Sequence, residues 1–151
     1  MSLVARLRRS ARRLVPYATA LLAAAVVVTV AAQQNFKVRL RPVPIEASTA
    51  ANTTGVGEAT ASLAGTKLTL RGNFAGLKGA ATVAHLHQGP AMGVRGPSFA
   101  DVTVPASTSG AFNAEIALTA AQVEGLRQGQ IYLQIHSETA PDGNLWGWLI
   151  P

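Results

Sequence analysis

The 151-residue chain contains no cysteine, which excludes disulfide bonds, a thiolate nucleophile and thiolate metal ligands. Histidine and carboxylate side chains are then the metal ligands that remain. Signatures of common catalytic sites are missing as well. No serine stands in a nucleophile elbow, no carboxylate pair is placed for glycoside hydrolysis, and the glycine-rich segment at residues 89–97 lacks a phosphate-binding lysine. The sequence therefore carries no signature of a common hydrolase or nucleotide-binding enzyme.

Residues 1–32 are predicted to form a signal peptide. Five arginines precede an almost wholly apolar stretch over residues 14–30, and Ala31 and Ala32 stand before Gln33 as at a cleavage site. The mature chain is then residues 33–151, a single domain by length, exported to the periplasm or secreted from a bacterial cell. The alternative is an uncleaved membrane anchor, since the apolar stretch is roughly long enough to span a bilayer.

Charge is scarce in the mature chain. The full chain has 13 Lys and Arg against seven acids, and removal of the five leader arginines leaves eight against seven, a net charge of +1. Nucleic-acid binding is excluded as a function because it needs a stronger basic patch. The one local basic stripe is Lys37, Arg39 and Arg41, which alternate with apolar residues. We expect this stripe to be the solvated face of an edge strand, where charge discourages aggregation.

Short segments rich in alternating or β-branched apolar residues predict about eight antiparallel strands. They span residues 36–41, 57–63, 66–74, 80–88, 99–104, 111–118, 130–137 and 144–150. Turn residues separate them, among them Asp142 and Gly143. One short helix is predicted after residue 118, because Thr119 and Gln122 form a capping box and Gly129 supplies a left-handed stop. The pattern predicts an all-β sandwich or barrel.

The chain has three histidines, and each is predicted on a strand face opposite the aliphatic residues. His85 and His87 flank a leucine, and His136 lies in the segment IYLQIHS. If the two strands are neighbours, three imidazoles meet on one face with a coordination position left open, which suits copper or zinc. Outside candidates for further ligands are Met92 and Glu138. The alternative is that the histidines only form hydrogen bonds, two of them to the loop at residues 89–96 and the third at a strand end.

The last predicted strand carries Trp146 and Trp148 on the face opposite Leu145 and Leu149. If the leucines face the core, both tryptophans lie outside together with Tyr132, and grouped aromatic residues of this kind usually mark an interaction surface. The alternative is that the tryptophans fill the interior of the barrel.

Sequence blocks along nearly the whole mature chain resemble the chordin-type CHRD domain. They are ASLAG (61–65), LTLRGNFAGL (68–77), HLHQG (85–89), GPSF (96–99), SGAF (109–112), LTAAQ (118–122), LRQG (126–129), YLQIHS (132–137) and PDGNLWG (141–147). The resemblance implies a secreted, immunoglobulin-like or barrel-like β-domain, in a family named from extracellular proteins that sequester growth factors. One block departs from the family, which usually ends in a GEIRG-like strand where this chain has NLWGW (144–148).

A second, partial resemblance is to copper-zinc superoxide dismutases. GNFAGL (72–77), leading into HLH (85–87), is similar to the dismutase strand that carries two copper-ligating histidines, and His136 precedes a final glycine-containing strand as a later ligand does. Those enzymes need a fourth histidine, a bridging histidine and usually a disulfide, which this chain lacks. We therefore expect an exported, non-catalytic domain that binds a protein or polymer. The alternative is a copper- or zinc-binding protein with a superoxide dismutase-like fold. Membrane contact is expected only through an uncleaved leader.

Overall fold

The computed structural model describes residues 32–44 and 46–151, so the predicted signal peptide, except its last residue, lies outside the described part. The described residues form eight strands and one helix. These are β1 (Gln34–Pro42), β2 (Val56–Ala64), β3 (Lys67–Ala75), β4 (Ala81–Gln88), β5 (Ser98–Val102), β6 (Gly110–Ala117), α1 (Ala120–Arg127), β7 (Ile131–Ser137) and β8 (Ala140–Trp148). Within this part of the chain, no helix has the length and apolar character needed to cross a membrane.

The eight strands form one antiparallel sheet that curls into a nearly closed barrel. Their order in the sheet is β5-β4-β7-β8-β1-β2-β3-β6, so β5 and β6 are its two ends. The strands β4 and β7 are direct neighbours, and β8 follows them in the same wall. The strands β1, β2 and β3 continue the sheet from β8. The predicted all-β fold with about eight strands and one short helix is confirmed, and it is a barrel.

The barrel interior is a single apolar core built from alternate strand residues. In β1, for example, Phe36, Val38 and Leu40 are buried while the residues between them are exposed. Burial of each such side chain contributes about 1.5–3 kcal/mol. Gly72 on β3 leaves room for the ring of Phe112 on β6, since a side chain at residue 72 would collide with it. The alternation places every second residue of β4, β7 and β8 on the outside of the barrel.

Helix α1 forms where the capping box predicts it. The hydroxyl of Thr119 accepts the backbone N–H of Gln122 at 3.2 Å, and the Gln122 side-chain oxygen accepts the Thr119 N–H at 2.8 Å. Val123 and Leu126 are buried against the barrel, and Gly129 follows the helix with a φ of 68°. The predicted start, buried side and stop of the helix are all confirmed.

Strand β1 is not an edge strand, so the interpretation of Lys37, Arg39 and Arg41 as edge protection is wrong. It lies between β2 and β8 in the sheet. Pro42 is the last residue of β1, so its missing N–H ends the strand and does not expose an edge. The basic stripe therefore stands on a wall of the barrel.

Asp142 and Gly143 do not form the predicted turn, because both lie within β8. The turn between β7 and β8 is formed by residues 138 and 139. Beyond it the register shifts between the pairs Ser137–Ala140 and Ile135–Leu145. Between these two pairs the chain advances by five residues in β8 but by only two in β7. The extra residues of β8 form a bulge, in which Gly143 has a φ of 132°. Bulges turn side chains and carbonyl groups away from their regular directions.

Candidate functional site

The three histidines lie on one outer wall of the barrel, next to the aromatic residues of β7 and β8. Cross-strand pairing sets out two rows, Asp101–His85–Gln134–Trp146 and Ser98–His87–Tyr132–Trp148. His136 lies two residues beyond Gln134 and pairs with Val83. We call His85, His87, Tyr132, His136, Trp146 and Trp148 the histidine–aromatic face.

Nδ1 of each imidazole lies within hydrogen-bond distance of an oxygen atom. The pairs are His85 Nδ1 with Asp101 Oδ1 at 2.8 Å, His87 Nδ1 with the Gly96 carbonyl at 3.0 Å, and His136 Nδ1 with the Pro141 carbonyl at 2.7 Å. A carbonyl oxygen only accepts hydrogen bonds, so Nδ1 of His87 and of His136 carries the hydrogen. In a neutral ring Nε2 then keeps a free lone pair, the arrangement that metal-bound histidines in proteins show.

Irregular backbone supplies two of these three oxygens. Pro141 belongs to the β8 bulge, and the neighbouring carbonyl of Asp142 accepts a hydrogen bond from the buried Gln134 side chain at 2.8 Å. Gly96 lies in the loop before β5, where the pairing of β4 with β5 also shifts register. The bulge and the loop therefore orient His136 and His87 from outside their own strands.

Nε2 of His87 and Nε2 of His136 are buried, and neither has a hydrogen-bond partner in the part of the chain that the structure describes. A buried polar atom without a partner costs about 1–3 kcal/mol, and native proteins keep few of them. Burial also lowers the pKa of both rings below the ordinary histidine value, and the hydrogen bonds to Gly96 and Pro141 act in the opposite direction. Both rings are therefore neutral at neutral pH, with their Nε2 lone pairs unused.

The ring of His85 stands between the other two. Its centroid is 4.9 Å from that of His136, at an interplanar angle of 70°, and 5.9 Å from that of His87, at 87°. Two imidazoles that bind one ion through Nε2 at about 2.0 Å have centroids roughly 5 Å apart, which fits the first pair. Within residues 32–44 and 46–151, however, no group of three or more histidine or carboxylate side chains is arranged to hold a metal ion. The three imidazoles share a face without closing around one point.

The two candidate metal ligands other than the histidines, Met92 and Glu138, lie at exposed positions. Met92 is 61% exposed, and its sulfur lies beside Gly129 after helix α1. Glu138 lies in the turn after β7, two residues beyond His136. In the described residues, Glu138 forms no metal-holding group with the histidines.

Tyr132 links the histidines to the tryptophans. The His87 ring stacks on Tyr132 at 4.7 Å and 8°, and Tyr132 in turn lies 4.7 Å from Trp148 and 5.7 Å from Trp146. Tyr132 is 1% exposed, whereas both tryptophans are partly exposed. Because Leu145 on the same strand is fully buried in the core, the tryptophans lie outside the barrel and do not fill its interior.

The loop between β4 and β5 folds along the edge of this cluster. The guanidinium carbon of Arg95 lies 5.4 Å from the centroid of the Trp146 ring, in cation–π contact. The next residue, Gly96, donates its N–H to the Tyr132 hydroxyl at 3.3 Å, and the hydroxyl donates to the Gly96 carbonyl at 3.2 Å. The loop is thus tied to the centre of the face and places a cation at its rim.

Among known families, the model of the CHRD domain matches residues 19–149. The chain belongs to the CHRD domain family. No curated protein and no solved structure matches it. Three of the CHRD-like blocks, HLHQG, YLQIHS and PDGNLWG, carry five of the six residues of the histidine–aromatic face, and Trp148 follows directly after the third.

Several residues of this CHRD domain that shape the site escape sequence reasoning. Asp101 faces His85 only through the pairing of β5 with β4, and Arg95 reaches Trp146 across the sheet. Proline at residue 141 predicts a turn, and nothing in the sequence indicates that its carbonyl accepts a hydrogen bond from His136. Gln134 did carry a signal, since it alternates with Tyr132 and His136 in the same segment.

Proposed function

We propose that this CHRD domain is an exported binding domain without catalysis of its own, and that it holds its ligand on the histidine–aromatic face. One observation carries the proposal: six ring side chains form a continuous cluster, in which partly exposed tryptophans lie over a buried tyrosine. Rings held in this way offer a large contact area with little loss of side-chain freedom on binding. The ligand is a protein or polymer outside the cytoplasm.

Two features of the sequence support the remaining parts of the proposal. The basic and apolar N-terminal segment with its small-residue end supports export to the periplasm or secretion. The HLH motif resembles that of copper-zinc dismutases, but those enzymes need more than three histidines and usually a disulfide. This chain has three histidines and no cysteine, which supports binding without catalysis.

Photo-crosslinking of the full chain in cells that export it tests this proposal. A photo-reactive amino acid replaces Ser98, which is exposed and pairs with His87 at the rim of the face. The matched control carries the same amino acid at Glu124, an exposed position on helix α1. We expect a discrete adduct from residue 98 that Trp148→Ala abolishes, and none from residue 124. Equal adducts from both positions, or an adduct that survives Trp148→Ala, would contradict the proposal.

A copper or zinc ion is the second candidate ligand, and the unpartnered Nε2 atoms of His87 and His136 favour it. Metal coordination gives such atoms a partner, and their Nδ1–H groups are already engaged as in metal-bound histidines. His85 and His136 have the ring separation of a two-imidazole site. For His87 to become a third ligand of the same ion, its ring must move toward the other two, because the three imidazoles do not surround one point.

Calorimetric titration of the untagged, chelator-treated full chain with Cu(II) and with Zn(II) tests the metal hypothesis. We expect saturable heat at micromolar ion, lost in His85→Ala and in His136→Ala and weakened in His87→Ala. Met92→Leu and Glu138→Gln serve as controls and should leave the titration unchanged, because both side chains are exposed outside the cluster. No metal-dependent heat, or heat that persists in His136→Ala, would refute metal binding at these histidines.

A further inference from the structure

The barrel wall that adjoins the histidine–aromatic face carries a group of long basic side chains. Lys37 on β1 and Arg71 on β3 both pair with Thr60 on β2, so one strand separates them, and Arg39 lies two residues along β1. All three are exposed. Strand geometry places their Cα atoms about 7–12 Å apart. We call Lys37, Arg39 and Arg71 the basic face.

None of the three basic side chains has an ionic or hydrogen-bonded partner among the described residues. The salt bridges in that part of the chain are Lys67 with Glu115 and His85 with Asp101. Glu58 pairs with Arg39 across the strands, and yet the two form no ion pair. Three like charges on one wall repel one another and favour a bound anion.

A role in protecting an edge strand does not explain the basic face, because β1 and β3 each have paired neighbours on both sides. A role in packing does not explain it either, since the side chains point to solvent. The group is therefore better explained by something that it binds.

The surface around the basic face is an extended groove and not a flat wall. A cavity of about 540 Å³ is lined by all three basic residues, and a second of about 370 Å³ adjoins it. Both cavities include Lys37, Thr60 and Arg71 in their linings, so the two depressions lie side by side across β1, β2 and β3, one on each side of this row. A groove of this shape fits a chain better than a compact ion.

The other groups in the groove offer hydrogen bonds and no aromatic surface. They are the hydroxyl and amide side chains of Gln33, Asn35, Thr60, Ser62, Thr69 and Asn73, together with one carboxylate, Glu58. Phe36, the one aromatic residue beside the groove, is 2% exposed and faces the core. Nucleic-acid bases bind single-strand grooves by stacking on aromatic side chains, which this surface does not provide. Hydroxyl and amide groups instead suit the hydroxyl groups of sugars.

From charge, shape and lining together we infer that the basic face binds an anionic polysaccharide. Lys37, Arg39 and Arg71 pair with successive carboxylate or sulfate groups of the polymer, and the amide and hydroxyl side chains hydrogen-bond its sugar rings. The site adjoins the histidine–aromatic face where β1 pairs with β8, but it is built from other residues, so the inference does not depend on the function proposed for that face.

Affinity measurements on the full chain test the inference, with polygalacturonate and dextran sulfate as anionic probes and dextran as the neutral match. We expect binding to both anionic polymers and none to dextran. The triple variant Lys37→Gln/Arg39→Gln/Arg71→Gln should bind at least about tenfold more weakly, the combined effect of three exposed ion pairs. Its matched control makes the same change in charge elsewhere, at Lys67, Lys78 and Arg127, which line neither cavity.

The outcomes separate a specific site from general charge attraction. The basic face is supported as the binding site if the control triple variant and His136→Ala keep the affinity of the unmodified chain. The circular dichroism spectra of all variants should be alike. An equal loss in both triple variants would overturn it in favour of net charge alone. Tighter binding of oligothymidylate than of polygalacturonate, lost in the first triple variant, would overturn the polysaccharide as the ligand in favour of a nucleic acid.

Discussion

Tyr132→Phe isolates the hydroxyl that joins the loop to the histidine–aromatic face. The hydroxyl accepts the Gly96 N–H at 3.3 Å and donates to the Gly96 carbonyl at 3.2 Å, while the ring stacks with His87 at 4.7 Å. Phenylalanine keeps the ring, so the substitution opens no large cavity. The Gly96 carbonyl still accepts the hydrogen bond from His87 Nδ1, but the Gly96 N–H loses the hydroxyl oxygen as its acceptor.

The expected loss of stability follows from these two bonds. Each contributes about 0.5–1.5 kcal/mol, and both are long for hydrogen bonds to a hydroxyl, so Tyr132→Phe should lower the free energy of unfolding by about 1–2 kcal/mol. Urea denaturation followed by circular dichroism measures it. Thr54→Val is the control, because it removes an exposed hydrogen bond of 2.9 Å to the Gly76 carbonyl, which water replaces. A loss below about 0.5 kcal/mol for Tyr132→Phe, or an equal loss in the control, would refute the reasoning.

Three further predictions concern pH, the bulge and the helix. Burial lowers the pKa of His87 and His136, so the unfolded chain binds protons first as the pH falls below about 6.5, and the free energy of unfolding should decrease there. Urea denaturation at about pH 8 and about pH 5 should show a smaller decrease in His87→Gln/His136→Gln. Gly143→Ala should destabilise by more than Gly65→Ala, because a methyl group at residue 143 collides with a neighbouring side chain and one at residue 65 meets open space. Thr119→Ala should cost about 1 kcal/mol in thermal or urea unfolding by removing the helix cap.

The local pattern of the sequence predicts most of the fold. Strict alternation in β1 and the capping box at Thr119 each specify an element through neighbours in the chain, and both form as predicted. Two errors have the same origin. The place of β1 in the sheet and the bulge at Asp142 and Gly143 depend on which strand lies alongside, and that is a property of long-range pairing. The pair Asp142-Gly143 is as typical of a bulge as of a turn, so its sequence alone does not distinguish the two.

The sequence places the residues of the histidine–aromatic face on the correct side of their strands, because alternation decides it. The direction of each ring is set by partners that are distant in sequence. Asp101 fixes His85 from β5, and the carbonyls of Gly96 and Pro141 fix the other two rings from a loop and a bulge. Periodicity contains no information on these contacts, so the tautomers follow only from the structure.

The tautomeric state of the histidines tests the account of the face most directly. Long-range ¹H–¹⁵N correlation spectra of the ¹⁵N-labelled full chain, recorded at about pH 8 where the rings are neutral, distinguish the two ring nitrogens. His87→Gln and His136→Gln assign the signals. We predict that His87 and His136 carry hydrogen on Nδ1 and a bare lone pair on Nε2, as their bonds to carbonyl oxygens require. Hydrogen on Nε2 of either ring would contradict the hydrogen bonds on which the site is built.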